Sequence, residues 1–183
     1  MVLYIAIGIA VLIALWAIMT YNGLVSHRAM VAEGWSGIDA QLKRRTDLIP
    51  NLVETVKGYA THERTTFDEV TQMRAGAGSQ DPAQRAQSET AITAAIGKIM
   101  AVAEAYPDLK ASANFQSLQK DLADLEDQIQ LARRYYNGAV RNFNVAVQQF
   151  PSNLIANMGG FAAAQFFQLD NAAERNVPKV SFS

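Results

Sequence analysis

Cysteine is absent from the 183 residues. No disulfide, thiolate metal site, cysteine nucleophile or cysteine lipid anchor can therefore form, although the compartment stays open. Histidine is nearly absent too, with His27 and His62 alone. His62-Glu63 resembles the opening of a zinc-protease motif, but Thr66 stands where the second histidine is needed, so no ligand pair shares a helix face. A di-iron bundle needs Glu-x-x-His on two helices; the residues three before the histidines are Leu24 and Tyr59. Excess charge of one sign is lacking as well, the formal net charge being −1. That argues against a nucleic-acid partner, which needs a basic face to displace counterions. The only candidate for a local basic cluster is the run of three cations Lys43-Arg44-Arg45.

Catalytic patterns are missing in the same way. No serine lies in a nucleophile elbow, and the Gly76/Gly78 loop lacks the lysine and preceding strand of a phosphate loop. Asp124, Glu126 and Asp127 sit on a charged helix face between Lys120 and Arg133. A solvated surface accounts for them better than acid–base work, which needs burial to separate two carboxyl pKa values. No catalytic, cofactor-binding or metal-binding residue is assigned, and no enzyme activity or cofactor is expected. Strand signals are also missing, since no stretch sustains apolar–polar alternation.

What is present is helical. Met1 to Met19 contains no charge and no strongly polar side chain. At the rise of an α-helix it spans about 28 Å, close to one hydrocarbon core. A cleaved signal peptide would want a positive n-region and a small-x-small cleavage site, and neither stands here. Residues 1–20 are read as a transmembrane anchor, making the lipid bilayer the first partner. Arg28, with His27 beside it, is the cation nearest the exit; the charge bias then favours a cytoplasmic C-terminal domain with the N-terminus translocated. Ala6, Ala10 and Ala14, with Gly8, recur at a spacing that lets two such helices approach closely. With a long seam further on, this favours a homo-oligomer.

Residues 21–151 read as an antiparallel four-helix bundle, which makes the fold all-α. Leu24, Val31, Trp35, Ile38, Leu42 and Ile49 form the first stripe, with Arg28 and Arg45 inside it. Pro50 either restarts a helix capped by Asp47 or kinks a continuous one. A second helix is expected over 48–74, with Val53, Val56, Ala60, Phe67 and Val70 inward and Glu63 interrupting, followed by a loop over 75–80. Asp81-Pro82 with Gln84 reads as an N-cap, a first-turn proline and a capping-box partner. The third helix faces Ile92, Ile96, Ile99 and Val102 inward and ends before Pro107. The fourth, over 112–149 and about 57 Å long, carries an alternating three-four seam from Phe115 through Leu125, Ile129, Tyr136 and Phe143 to Phe150. Such a seam needs partner helices. Residues 152–183 are an apolar C-terminal segment, without charge until Asp170, and an extended tail. The segment is either a cap across the bundle end or a membrane-surface element. Arg28, Arg45, Glu63, Asn137, Asn144 and Asn51 interrupt or flank the stripes and are expected in satisfied polar networks that fix register.

Several runs resemble one family. They are Tyr21-Asn22-Gly23-Leu24-Val25, Trp35-Ser36-x-Ile38-Asp39, Gln41-Leu42-Lys43-Arg44-Arg45-x-Asp47-Leu48-Ile49-Pro50-Asn51-Leu52-Val53 and Val56-Lys57-Gly58-Tyr59. Tyr106-Pro107-x-Leu109-Lys110-Ala111, Ala132-Arg133-Arg134-Tyr135-Tyr136-Asn137, Asn144, Phe150-Pro151 and Gly160-Phe161 continue the match along essentially the whole chain. The pattern is similar to the LemA family, a magnetosome-associated branch of which these motifs do not separate. The resemblance implies a bacterial inner-membrane protein with one N-terminal span, the N-terminus outside and an antiparallel bundle in the cytoplasm. It implies no established enzymatic activity, and an association with membrane proteases and envelope stress. Phe166-Phe167-Gln168 departs from the family's usual aromatic-acidic pattern. Two functions follow as expectations: a self-assembling membrane-anchored scaffold or interaction protein of the bacterial envelope, or an adaptor or regulator of a membrane protease.

Overall fold

The computed structural model describes residues 1–59, 79 and 81–168. Among them there is no strand, and five helices follow in order: α1 (Val2–Lys57), α2 (Pro82–Glu104), α3 (Pro107–Lys110), α4 (Ala113–Gln148) and α5 (Ser152–Met158). The all-α architecture expected from periodicity is what the chain adopts. The chain divides into two compact units, one built from Met1–Asp39 with Gln130–Phe166, the other from Ala40–Ile129 with Phe167–Ser183.

The sequence left open whether Pro50 restarts or kinks the first helix. It does not restart it: α1 runs through Pro50 without a break to Lys57, so Asp47 lies inside the helix instead of at an N-cap and Leu48 begins no new helix. An interior proline forfeits one backbone bond and costs about 3 kcal/mol. Ile49, Leu52, Val53 and Val56 are all buried around it, and each such side chain returns roughly 1.5–3 kcal/mol. Burial wins, and the helix passes through its breaker. The remainder of the expected second helix, with Ala60, His62, Glu63, Phe67 and Val70, lies outside the described residues, as does all of the 75–80 loop except Ser79.

In the second unit the core is aliphatic. Ile49, Leu52, Val53 and Val56 of α1 meet Ile92, Ala95, Ile99 and Ala103 of α2, closed by Leu109 and Phe115. α2 begins as its sequence directs, with the Asp81 carboxylate accepting from the Ala83 and Gln84 backbone N–H groups at 2.8 and 3.0 Å. The expected box closes indirectly. Gln84 accepts from the Ser79 hydroxyl, and that hydroxyl in turn accepts the Asp81 N–H. Pro107 opens α3 after Tyr106, which takes up the extended backbone that a residue before proline prefers.

In the first unit α4 runs antiparallel to α1. Tyr135 and Tyr136 lie against Glu33, Gly34 and Trp35, whereas Phe143 and Val147 lie against Leu24. Gly34 permits the approach, since a Cβ there would sit 3.0 Å from the Tyr136 Cα. After a cis Phe150–Pro151 peptide, α5 ends in a Schellman turn. Phe161 N–H donates to Ala156 at 2.9 Å and Gly160 N–H to Asn157 at 3.4 Å, with Gly160 in the left-handed region at φ 68°. The apolar contact that accompanies this motif joins Phe161 to Ala156, both in the cluster of Leu24, Phe143 and Val147. The preferred expectation for the tail, a short cap, is met here in part. Ala156 and Phe161 are buried, but Phe150, Leu154 and Met158 stand exposed. Phe150 is therefore not the inward terminus of the α4 seam, because the helix stops at Gln148 and the chain turns.

Candidate functional site

Three features are candidates for function: an uncovered apolar segment, a buried ionic cluster and a pair of oppositely charged grooves. The first is the opening stretch of α1. It contains a window long and apolar enough to cross a membrane, and none of that window is buried. Leu3, Ile5, Ile9, Leu12, Leu15 and Ile18 are exposed around its circumference. A soluble core helix would hide at least one face, so this segment fits a single-pass membrane helix.

The ionic cluster lies in the second unit and is centred on Arg45, which is buried on α1 among aliphatic neighbours. Its Nη2 pairs with the wholly buried Glu89 carboxylate and also reaches the Glu89 carbonyl at 3.4 Å. Its Nη1 donates to Glu126 at 3.1 Å and to the Thr93 hydroxyl at 3.2 Å. Arg85 Nε lies 3.2 Å from the other Glu89 oxygen, in an off-line geometry that makes the contact electrostatic and not a formed hydrogen bond. Two arginines thus face two carboxylates. The expectation that Arg45 sits in a polar network holds. Glu89 and Arg85 escaped the sequence reading, although their i, i+4 spacing on α2 was a visible signal. Glu126 stands partly on the solvated face assigned to it, its side chain 43% exposed, and also reaches in to Arg45, while Asp124 and Asp127 remain exposed.

Elsewhere the interrupting residues divide. Asn144 and Ala164 bond reciprocally: the amide donates to the Ala164 carbonyl at 2.9 Å and its oxygen accepts the Ala164 N–H at 2.8 Å. Arg28 is not inward but lies over the Phe161 ring, 5.1 Å from its centroid. Asn51 is exposed and belongs to no core network. Two phenols deserve mention for their ionisation. The Glu33 carboxylate holds the Tyr135 pKa above its usual range, and burial does the same for Tyr136. Both remain neutral at physiological pH, and Tyr136 donates to the Gln165 carbonyl at 2.8 Å.

The grooves carry opposite charge. In the first unit Gln130, Arg133, Arg134, Asn137, Gly138, Arg141 and Phe166 line a space of about 460 Å³. In the second, Arg44, Asp47, Asp121 and Asp124 with Leu48, Leu125 and Gln128 line one of about 440 Å³. The Lys43-Arg44-Arg45 run does not make a basic patch. Arg45 is buried, and Arg44 bonds Gln41 and Gln128 at the acidic groove. The basic surface instead comes from the adjacent pair Arg133-Arg134 together with Arg141, which a search for runs of three cations misses. Its signal was negative: between Asp127 and Asp170 the sequence holds no acid. Among the described residues, no group of three or more His, Cys, Asp or Glu is placed to hold a metal ion.

With this geometry fixed, comparison with known proteins decides the family. A sequence model of the LemA family matches residues 34–182. The chain belongs to the LemA family. Similar curated proteins include magnetosome protein MamQ 2 of Paramagnetospirillum magneticum, 25% identical over 87% of this chain and 69% of that protein. MamQ of Magnetospirillum gryphiswaldense is 24% identical over the same shares. Protein LemA of Metamycoplasma hominis is 27% identical over 81% of this chain and 72% of its own length. The family match includes the arginines of both the buried cluster and the basic groove but begins after the apolar segment.

Proposed function

We propose that this LemA-family protein is a membrane-anchored scaffold of the bacterial envelope, acting through contacts made by its helices and not through covalent chemistry. The observation that carries the reading is the uncovered apolar start of α1, continuous with the helix that packs in both units. A membrane helix that passes unbroken into a folded body transmits position directly, since no flexible linker intervenes. The buried ionic cluster serves the same end. Its charges are mutually compensated, and Arg45, Arg85 and Glu89 are buried, which suits fixing helix register better than turning over a substrate.

Charge supports a cytoplasmic body. The unit that contains the apolar segment holds Arg28, Arg133, Arg134 and Arg141 against Glu33 and Asp39. Positive charge beside a span favours retention on the inner side of the inner membrane. Self-association through the small residues Ala6, Ala10 and Ala14 completes the reading.

The test is fractionation followed by cross-linking in native membranes. The full chain is expected in the pellet after carbonate and high-salt washing, with its body protease-sensitive only from the cytoplasmic side, and cross-linkers are expected to trap dimers or larger species. A freely soluble full-length chain would remove the anchor. A strictly monomeric cross-linking pattern, with no other protein attached, would remove the scaffold.

A further inference from the structure

α5 occupies a particular level of the molecule. It starts just after the end of α4, where Val147 packs beside Leu24 of α1, and it ends where Gly159 and Phe161 meet Tyr21. Leu24 and Tyr21 are three residues apart on one helix, or about 4.5 Å along its axis. Both ends of α5 therefore lie at nearly one height on α1, so the short helix runs across α1 instead of along it. That height is set by the sequence. Tyr21 stands two residues beyond Met19, where the apolar run ends.

The outer side of this crossing segment is apolar. Leu154 and Met158 stand four residues apart on α5 and so share one face; Phe150 stands just before the helix, and the three are 52%, 86% and 75% exposed. The inner side is committed, with Ala156 buried and Ile155 packed on the cluster of Leu24 and Phe143. No charged residue occurs between Arg141 and Asp170. Exposing three large apolar side chains to water at this one level is unfavourable in proportion to their apolar area. An adjoining lipid interface removes the penalty. Tyr21 and Arg28 flank it with the amphipathic types that favour headgroup depth.

We propose that α5 is a membrane-interfacial foot, with Phe150, Leu154 and Met158 seated among the lipid headgroups and upper acyl chains beside the exit of α1. The inference rests on the reading of α1 as a span and adds a second point of attachment. One helix through a bilayer is free to tilt and rotate, because length alone sets neither. A second contact displaced sideways restrains both, giving the body a defined face toward the membrane.

The absence of cysteine makes the test clean, because single substitutions give unique labelling sites. The full chain, reconstituted in phospholipid vesicles, is labelled with an environment-sensitive fluorophore at Leu12→Cys, Leu154→Cys, Met158→Cys or Ser36→Cys and exposed to lipids carrying a shallow or a deep nitroxide quencher. Ser36 is exposed and lies about 22 Å along α1 beyond Tyr21. Labels at 154 and 158 are expected to shift to the blue and lose most of their emission to the shallow quencher. The label at 12 is expected to lose it to the deep quencher, and the label at 36 to neither. Quenching at 12 with none at 154 and 158 overturns the foot while leaving the span intact. No quenching at 12 overturns the span and the foot with it. A blue-shifted label at 158 that ignores lipid quenchers but self-quenches shows a second copy on this face and also overturns the foot.

Discussion

The two units of this protein hold their helices together by different chemistry. In the first, Tyr21, Trp35, Tyr136, Phe143 and Phe161 meet in edge and tilted ring contacts at centroid separations of 5.5–6.3 Å. Its internal polar bonds include neutral ones, from Asn144 and Tyr136 to backbone groups. In the second, an aliphatic core is joined by a cluster of ions, with Arg45, Arg85 and Glu89 buried and Glu126 partly exposed. The contrast has a physical sense. Ions are far more expensive to desolvate than amides or phenols, and the unit that contains the apolar segment pairs Asn144 and Tyr136 with neutral backbone groups. Aromatic rings supply large buried area with specific geometry, and so do for that unit what charge pairing does for the other.

The sharpest way to break this comparison is to remove one ion from the second unit. Glu89→Ala leaves Arg45 and Arg85 buried without their shared carboxylate and is expected to cost about 3–5 kcal/mol. Chemical unfolding, followed by hydrogen exchange within α2, measures it; a loss below about 1 kcal/mol would mean the cluster behaves as a surface pair. Next comes the aromatic unit. Phe161→Ala removes contacts with Tyr21, Phe143 and Arg28 and should cost about 3 kcal/mol, as buried phenylalanine truncations do. Both tryptophans, Trp16 and Trp35, belong to this unit, so intrinsic fluorescence should register Phe161→Ala directly.

A smaller effect separates neutral from ionic pairing. Asn144→Ala orphans the Ala164 N–H and carbonyl, for which about 1–3 kcal/mol is expected; a denaturation midpoint equal to that of the parent would show that solvent replaces the amide. The smallest change runs the other way. A Cβ at Gly138 would meet nothing within 4 Å, so Gly138→Ala should stabilise α4 by about 0.5–1 kcal/mol. A destabilised variant would reveal that the floor of the arginine groove must remain open.

Much of this was legible from the residues. The Asp81-Pro82 start, the stop before Pro107 and the seam from Phe115 to Phe143 all follow from local backbone chemistry and from side chains three and four apart. Pro50 was not decidable, because the penalty of a proline is local, whereas the burial of Ile49, Leu52 and Val53 that outweighs it depends on neighbours brought from elsewhere in the chain. Arg45 was marked as out of place in an apolar stripe, but its partner Glu89 lies 44 positions away. The arginine groove was hidden for a related reason: Arg133, Arg134 and Arg141 join only when the helix wraps them onto one side.

The order of the chain alone determined that the molecule is helical, where α2 and α4 begin and end, and that its first nineteen side chains suit hydrocarbon. These are one-dimensional properties, set by neighbours within a turn or two. Tertiary structure decided which charges were buried together, that Pro50 stays inside a helix, and that Phe150, Leu154 and Met158 remain uncovered at the height where the apolar run stops. Each of those outcomes is a balance between a local cost and a contact brought from far along the chain, and such a balance exists only once the helices have packed.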